Sequence, residues 1–325
     1  MHTLKNSPSI FFILAVLLIF VSACGTTNQD ILNADPEPVI EVFEIFEPGE
    51  TGQVIQNLVI APDGDVWGNT EREVVHFDGG AWQHYIPENL GVIQTVAVTP
   101  DGQVWAGGTG NGGSSSVSRY DGEKWIEEAY FEPVRDIAIT AGGDVWIAAL
   151  QQLSRFDGET WTNYTRSSGL PTDCVNTVAA APDSSIWAAS CYSDHQVIHF
   201  DGTAWETYNP GWGYVSAIEA ASDGRIWIGA VGEKGTGAGF SFYDGSSWTT
   251  WEETAGMLDN NVMDLAVDSS GNVWLATEEG VCRFDSDRCA TYLPDEIVYS
   301  VTLVSDNEIW FGLDRRAVKL VLFTS

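Results

Sequence analysis

Basic side chains are scarce in this sequence. Its 325 residues hold 14 Lys and Arg against 46 Asp and Glu, which gives a formal net charge of −32. Binding to nucleic-acid phosphates needs Lys and Arg to displace counterions, so we expect no nucleic-acid partner. Anionic membrane surfaces would repel the same charge. Any attachment to a membrane must therefore come from something other than surface electrostatics.

Long apolar runs are also scarce, and the clearest one lies near the N-terminus. The run from Ile10 to Val21 follows Lys5 and is too short to span a bilayer comfortably, which is typical of a secretory signal peptide. It ends in Val21-Ser22-Ala23-Cys24, which is similar to a bacterial lipobox, although an incidental cysteine after an ordinary signal peptide is the alternative. We expect residues 1–23 to be a lipoprotein signal peptide and Cys24 to carry a lipid. The protein would then be extracytoplasmic and held at a membrane or cell surface by that anchor alone.

The segment after Cys24 is polar and punctuated by proline. A segment of this composition forms a flexible tether, which we place at residues 24–38. Residues 39–325 remain for a folded domain, and we expect it to be a monomer.

Cysteine is sparse as well, with five in the chain. Once Cys24 is assigned to the lipid, the other four can be oxidised in an exported protein. Three pairings are open in principle. Proximity along hairpins favours Cys174 with Cys191 and Cys282 with Cys289.

Helical periodicity is missing, and a repeat takes its place. Each copy contains Val or Ile followed by tryptophan, with a turn-forming residue three positions before the tryptophan, as in Gly102-Gln103-Val104-Trp105. The seven repeat tryptophans are Trp67, Trp105, Trp146, Trp187, Trp227, Trp274 and Trp310. A period of about 40 residues without helical patterning is the signature of a β-propeller or a related array.

A second turn recurs inside five copies, as in Tyr120-Asp121-Gly122, and in each of these another tryptophan lies five residues after the aromatic. Two turns per copy predict four antiparallel strands, which is one propeller blade. The fold class is therefore all-β, a seven-bladed propeller. We interpret the twelve repeat tryptophans as scaffold, because a large flat indole fills the gap between radiating sheets.

The last two copies depart from the pattern. The sixth reads Phe284-Asp285-Ser286 and has Cys289 in the place of the tryptophan, so we expect a cystine to Cys282 to replace the lost glycine and indole. The seventh copy provides only three strands. Phe43-Glu44-Ile45-Phe46-Glu47-Pro48 has the aromatic and proline spacing of a fourth strand, so Glu41 to Glu47 should complete the last blade and close the ring.

The most regular copy resembles the two-component regulator propeller repeat. It reads Gly271-Asn272-Val273-Trp274-Leu275-Ala276-Thr277 and then Gly280-Val281-Cys282-Arg283-Phe284-Asp285. The resemblance extends at varying strength from Ile40 to Leu322. The resemblance implies a similarity to the extracytoplasmic sensor propellers of bacterial hybrid histidine kinases. Those propellers are implied to recognise carbohydrate fragments. Neither a transmembrane helix nor a kinase follows the repeats here, so direct signalling across the membrane is not expected.

A second resemblance concerns enzymes. Streptogramin-lyase-like propellers share the Asp-Gly-x-Val-Trp turn and use histidine chemistry at the channel mouth. Here His76, His84 and His199 lie on strands by their position in the repeat, and only His195 falls in a loop on the opposite face. We therefore expect no enzymatic activity, with a lyase or hydrolase as the less favoured reading.

Candidate ligand-binding residues are those that do not repeat. Both short turns of each blade share one face, so the longer connections gather on the other face, where function concentrates. The candidates there are Trp212, Tyr214, Tyr192, Asp194, His195 and Arg166. Trp212, between glycines, could stack on a sugar ring or equally plug a loop, while Trp251 is assigned to the core.

Two further motifs are rejected as sites. The glycines between Val231 and Gly239 have no strand-to-helix context for phosphate binding, and Asp63-Gly64-Asp65 is too short for a calcium loop. No cofactor or metal is expected. The two favoured functions are a binding module for a glycan or oligosaccharide and a scaffold that binds another envelope protein.

Overall fold

A computed structural model describes residues 39–44, 53–112, 116–129, 133–191, 196–211, 214–232, 239–251 and 257–322. These residues form seven four-stranded antiparallel sheets, which confirms the predicted seven-bladed β-propeller. The only helix among them is a short 3-10 turn at Arg166–Ser168. In the described ranges, no helix is long and apolar enough to cross a membrane. The predicted signal peptide, the tether and Cys24 lie outside them.

Six blades are built from four consecutive strands each. Blade 1 contains β2 (Asn57–Ile60), β3 (Val66–Asn69), β4 (Val74–Phe77) and β5 (Trp82–Tyr85), and blade 2 contains β6 (Leu90–Val98), β7 (Val104–Gly110), β8 (Val117–Tyr120) and β9 (Trp125–Ala129). Blade 3 contains β10 (Val134–Ile139), β11 (Val145–Ala149), β12 (Gln152–Phe156) and β13 (Trp161–Tyr164), and blade 4 contains β14 (Val175–Ala180), β15 (Ile186–Ser190), β16 (Val197–Phe200) and β17 (Trp205–Tyr208). Blade 5 contains β18 (Tyr214–Ala220), β19 (Ile226–Val231), β20 (Gly239–Tyr243) and β21 (Trp248–Trp251), and blade 6 contains β22 (Val262–Val267), β23 (Val273–Thr277), β24 (Gly280–Phe284) and β25 (Cys289–Tyr292).

Blade 7 joins the two ends of the chain. Its first three strands are β26 (Ser300–Ser305), β27 (Glu308–Gly312) and β28 (Arg316–Val321), and its fourth is β1 (Val39–Glu44). Val39 pairs with Val321 and Glu44 with Arg316, while Lys319 Nζ lies 2.6 Å from a carboxylate oxygen of Glu41. The predicted closure is confirmed. Residues 45–47 of the predicted strand lie outside the described ranges.

The first strand of every blade faces the central axis. These strands, β2, β6, β10, β14, β18, β22 and β26, contact one another in sequence around the ring, and β26 contacts β2. Each begins at the between-blade connection and ends at the short turn that leads to the second strand. The side that carries the longer connections is called the loop face below.

The repeat tryptophans lie between neighbouring blades, as predicted. All seven are at most 6% exposed, and Trp274 is fully buried. Trp274 belongs to a cluster that joins Ala276 and Val281 of blade 6 to Ile309 and Phe311 of blade 7. Trp251 packs against Trp227 and Phe240, which confirms its assignment to the core. The apolar core is thus a ring of interfaces between blades.

Both predicted disulfides are present. Cys174 bonds to Cys191, and Cys282 bonds to Cys289 across the hairpin of the sixth blade. In that hairpin Ser286 has a φ of 81°, where the equivalent Gly122 has 97°. A left-handed conformation is unfavourable for serine, so the cystine fixes a turn that glycine makes easily elsewhere.

Candidate functional site

The loop-face ends of the innermost strands carry β-bulges in five consecutive blades. The strand register shifts between Ile93 and Thr95, Val134 and Asp136, Val175 and Thr177, Val215 and Ala217, and Val262 and Asp264. The extra residue lies eleven positions before the repeat tryptophan in each case. Bulges often lie next to functional sites, because they redirect one side chain out of the regular ladder.

This position, taken around all seven blades, forms a ring at the mouth of the central channel, which we call the rim. The rim consists of Gln56, Gln94, Arg135, Asn176, Ser216, Met263 and Tyr299. Its polar groups are mostly amides and hydroxyls. It contains no carboxylate, although the chain has 46 Asp and Glu. Arg135 carries the rim's only charge.

One aromatic side chain is held rigidly beside the rim. Tyr214 is 39% exposed, and its hydroxyl donates a hydrogen bond to Oδ1 of Asn176 in the preceding blade. The Asn176 amide nitrogen in turn donates to the carbonyl of Val215 over 3.0 Å. The Tyr214 ring therefore keeps a fixed orientation while one part of its surface stays open to solvent.

Arg135 lies in the blade next to Asn176, and its positive charge acts on the pKa of Tyr214. Burial raises the pKa of the Tyr214 phenol, and the positive charge of Arg135 acts in the opposite direction. Arg135 itself is exposed and makes no ion pair with a described residue. The rim between blades 3 and 5 therefore combines one free cation, one amide and one aromatic ring.

The predicted loop between Cys191 and Gln196 begins close to this sector. Cys174 at its base is 1% exposed, and the Cys191 amide donates to the Cys174 carbonyl over 3.1 Å. The hydroxyls of Thr172 and Ser190, which are close to the two cysteines in the sequence, lie 3.0 Å apart. The start of the loop is thus pinned.

Four of the predicted site residues fall outside the described ranges, and two fall within them. Those outside are Tyr192, Asp194, His195 and Trp212. Tyr214 lies at the rim, as described. Arg166 lies in the 3-10 turn, is 62% exposed along its side chain, and pairs with Asp173 over 3.1 Å. No contact joins Arg166 to Tyr214, so a ligand-binding role for Arg166 stays a prediction.

Beneath the rim, the central channel holds acidic side chains. A cavity of about 360 Å³ is lined by residues that include Asn57, Glu219, Asp264 and Thr302. Asp264 accepts hydrogen bonds from the amides of Leu265 and Val301, each over 2.9 Å. Glu219 has no hydrogen-bond partner among the described residues. In the described part of the chain, no three His, Cys, Asp or Glu side chains are grouped as a metal site.

These channel carboxyls hold their protons unusually tightly. Burial, with the charge of Asp264 as a second cause, raises the pKa of Glu219 to about 8. Burial also raises the pKa of Asp264 to about 7, against two backbone hydrogen bonds that lower it. Ionising either group inside the ring is therefore costly.

Raising the pH should consequently destabilise the fold. Below the ordinary Glu pKa of 4.5, Glu219 is protonated whether the chain is folded or unfolded. Between that value and about 8, the unfolded chain loses the proton while the folded chain keeps it, so stability falls as pH rises. Glu219→Gln should then stabilise the protein at pH 8 by on the order of 2–4 kcal/mol and have little effect near pH 4. Thermal denaturation between pH 4 and about 9 measures this.

The matched control is Glu159→Gln, because Glu159 is exposed in a turn. It should leave the pH profile of the melting temperature unchanged. Turn aspartates such as Asp201, whose pKa is lowered to about 2, titrate below this window. A Glu219→Gln gain of equal size at pH 4 and pH 8 would contradict the assignment.

The described histidines belong to the scaffold. His76 stacks on Trp67 with ring centroids 4.0 Å apart and lies 2.7 Å from a carboxylate oxygen of Asp65. His199 stacks on Trp187 at 4.3 Å. His84 lies on the outer strand β5, as expected. None of these three reaches the rim.

Sequence reasoning found Tyr214 but missed Asn176 and Arg135. Both lie inside a strand, whereas the search followed loops that do not repeat. A signal was available, because both stand eleven residues before a repeat tryptophan. Comparing that position across the seven copies would have shown six polar residues and one methionine, with no carboxylate among them.

One copy of the repeat matches a known family model. A family model described as two component regulator propeller matches residues 256–279, within the copy that resembled it most. The resemblance is confirmed for the repeat. No curated protein matches the chain significantly.

Solved structures with the same fold come from several functional classes. One is a catalytically inactive virginiamycin B lyase from Staphylococcus aureus with quinupristin, at 14% identity and a TM-score of 0.72, covering 87% of this chain and 100% of the lyase. Another is the extracellular domain of BT3049 from B. thetaiotaomicron, described as a hybrid two component system, at 15% identity and a TM-score of 0.70. That match covers 88% of this chain and 41% of the other.

A third similar structure is YCF48 bound to D1 peptide, at 16% identity and a TM-score of 0.66. The match covers 89% of this chain and 99% of YCF48. At such identities the likeness concerns the fold alone. The same fold therefore occurs in a lyase, in the extracellular domain of a two component system and in a protein bound to a peptide, so function must be argued from the site.

Proposed function

The chain is a seven-bladed β-propeller that carries a two component regulator propeller repeat, and from that premise we propose that it is a non-enzymatic extracytoplasmic carbohydrate-binding protein. In this proposal the lipid on Cys24 anchors the protein. The loop face, at the rim sector of blades 3 to 5, binds the sugar.

The observation that carries the proposal is the fixed ring of Tyr214. An aromatic side chain that is 39% exposed, and whose hydroxyl is already bound by Asn176, offers an apolar surface with little entropy left to lose on binding. Sugar rings present one apolar face and a fringe of hydroxyls. Gln94 is an exposed rim residue of blade 2, next to the blade that carries Arg135. Its side-chain amide can donate hydrogen bonds to sugar hydroxyls and accept hydrogen bonds from them.

The positions of the described histidines also favour a binding protein over an enzyme. His76, His84 and His199 make their contacts on strands away from the rim, and the remaining candidate base, His195, lies outside the described residues. The extracellular sensor domains among the similar structures support an extracytoplasmic place for this fold. The lyase among them keeps an enzyme as the alternative to be tested.

A glycan array with the purified full-length protein tests the proposal. We expect a defined set of oligosaccharides to bind, and Tyr214→Ala to weaken their binding about tenfold or more, because a lost aromatic contact at the centre of a site typically costs over 1 kcal/mol. Ile86→Ala is the control, since Ile86 is 65% exposed in the connection between blades 1 and 2. If the array shows no binding, the proposal fails. Equal affinity of the parent and Tyr214→Ala would move the site elsewhere.

A second candidate, a scaffold for an envelope protein, rests on a different sector. Leu258 and Ile297 are 39% and 47% exposed in the connections before blades 6 and 7. Exposed apolar side chains in neighbouring loops suit a protein surface, and the similar YCF48 structure holds a peptide. Crosslinking in cells should recover a partner if this second function holds, and recovery of none would count against it.

A further inference from the structure

Arg135 differs from nearly every other arginine of this chain. Eight described arginines have a carboxylate oxygen within 4.0 Å: Arg119, Arg155, Arg166, Arg225, Arg283, Arg288, Arg315 and Arg316. Arg72 and Arg135 have none among the described residues, and Arg72 stands between Glu71 and Glu73 in the sequence. In a chain with a net charge of −32, an exposed arginine without a carboxylate partner is unexpected.

The neighbouring carboxylate cannot serve as its partner, because it is already occupied. Asp136 accepts hydrogen bonds from the Thr177 hydroxyl over 2.8 Å, from the Val178 amide over 2.9 Å and from the Ile137 amide over 2.8 Å. The Thr95 hydroxyl adds a longer bond of 3.3 Å. Asp136 therefore joins blades 2, 3 and 4 below the rim. Arg135 is the bulged residue immediately before Asp136, and it takes no part in this network.

The rest of the rim offers Arg135 only neutral neighbours. Gln94 in blade 2 and Asn176 in blade 4 flank it, and Tyr214 lies beside the rim in blade 5. A guanidinium group in such a neutral setting keeps its five donors free for an incoming acceptor. The planar fork of arginine matches a carboxylate in a bidentate way, which a hydroxyl cannot imitate.

We propose that the sugar bound at this rim carries a carboxylate, as in an oligosaccharide of uronic acids, and that Arg135 binds this group while Tyr214 contacts the ring. The inference rests on the proposed function and makes its ligand class specific. It also explains how so acidic a protein binds an anion. The seven residues of the rim include one cation and no carboxylate.

The test uses the full-length protein and an array in which each uronic-acid oligosaccharide is paired with its methyl ester. Esterification removes the charge and keeps the sugar. We expect the acids to bind at least about tenfold more tightly than their esters, since a hydrogen bond to a charged group is the stronger kind. Binding of the acids should also weaken as the salt concentration rises, because salt screens the attraction between the carboxylate and Arg135.

Two variants decide whether Arg135 is responsible. Arg135→Gln should abolish the preference for the acid, and Arg135→Lys should retain part of it, because lysine keeps the charge but not the fork. Arg288→Gln is the matched control, since Arg288 is exposed, already lies 3.6 Å from a carboxylate oxygen of Asp285, and belongs to no candidate site. Arg135 is exposed, so all three variants should melt like the parent.

Each outcome discriminates between the two proposals. Esters and neutral glycans that bind as well as the acids would overturn the inference while the carbohydrate-binding function stands. An array with no binding at all would overturn both. Acid binding that survives in Arg135→Gln would place the carboxylate elsewhere. Arg135-dependent binding of peptides with a free C-terminal carboxylate, without glycan binding, would exclude the sugar.

Discussion

Replacing Trp274 with alanine should lower the free energy of unfolding by about 3–5 kcal/mol, because its indole is fully buried between blades 6 and 7. Truncation leaves a cavity lined by Ala266, Ile309 and Phe311, and two sheets joined at the same ring cannot collapse to fill it. The Arg283 guanidinium, 5.4 Å from the indole centre, would also lose its aromatic neighbour. Urea denaturation at neutral pH measures the effect.

Two control variants distinguish the effect of lost side-chain volume from the effect of the tryptophan's position in the blade. Trp274→Phe should cost clearly less than Trp274→Ala, because the indole nitrogen makes no hydrogen bond and only part of the volume is lost. Trp248→Ala should also cost less, since Trp248 is only partly buried on the outer strand of blade 5. If Trp248→Ala proved as damaging as Trp274→Ala, the repeat tryptophan would not be the main wedge between blades.

Deleting β1 should have a still larger effect, because it opens the ring. Residues 39–44 pair with all six residues of β28, and Ile40 packs against the cluster that holds Trp274. Without them, the unpaired edge of β28 would be exposed as a template for association with other chains. We expect a variant that lacks residues 25–44 to aggregate, or to melt far below the parent, in a thermal scan combined with light scattering.

The matched deletion removes residues 25–37 and leaves β1 in place. It should behave like the parent, which excludes a general effect of shortening the chain. Glu41→Gln provides a milder test, because it breaks the contact with Lys319 and keeps the backbone pairing. A variant without β1 that stayed soluble, with an unchanged melting profile, would show that this strand does not carry the closure.

Much of the fold could be predicted from the sequence because each blade solves the same packing problem with the same residues. The Val-Trp pair seen at Val104 and Trp105 recurs because both sides of every blade are covered by neighbouring blades. A turn-forming residue recurs at the position of Gly102 because the turn there needs a positive φ, which is 88° at Gly102. Even the departures were readable, because Cys289 in place of a tryptophan implied a new covalent partner at Cys282. The pairing of β1 with β28 followed from one missing strand and one surplus strand.

The candidate site could be predicted only in part. Tyr214 stood out as an aromatic in a loop-like stretch, whereas Arg135 and Asn176 are unremarkable within their strands. Their relation depends on a bulge in each of two blades and on a hydrogen bond between residues 38 positions apart. Spacing along one chain does not reveal such contacts.

The sequence by itself determined the number of blades, the closure of the ring, both cystines and the role of the repeat tryptophans, because local turn chemistry and a period of about 40 residues specify each blade independently. Only the tertiary structure decided which side chains meet at the mouth of the channel. Closing seven blades into a ring brings the same strand position of each copy around one axis. It leaves Arg135 free beside Tyr214 there, since Asp136 is occupied by donors from three blades.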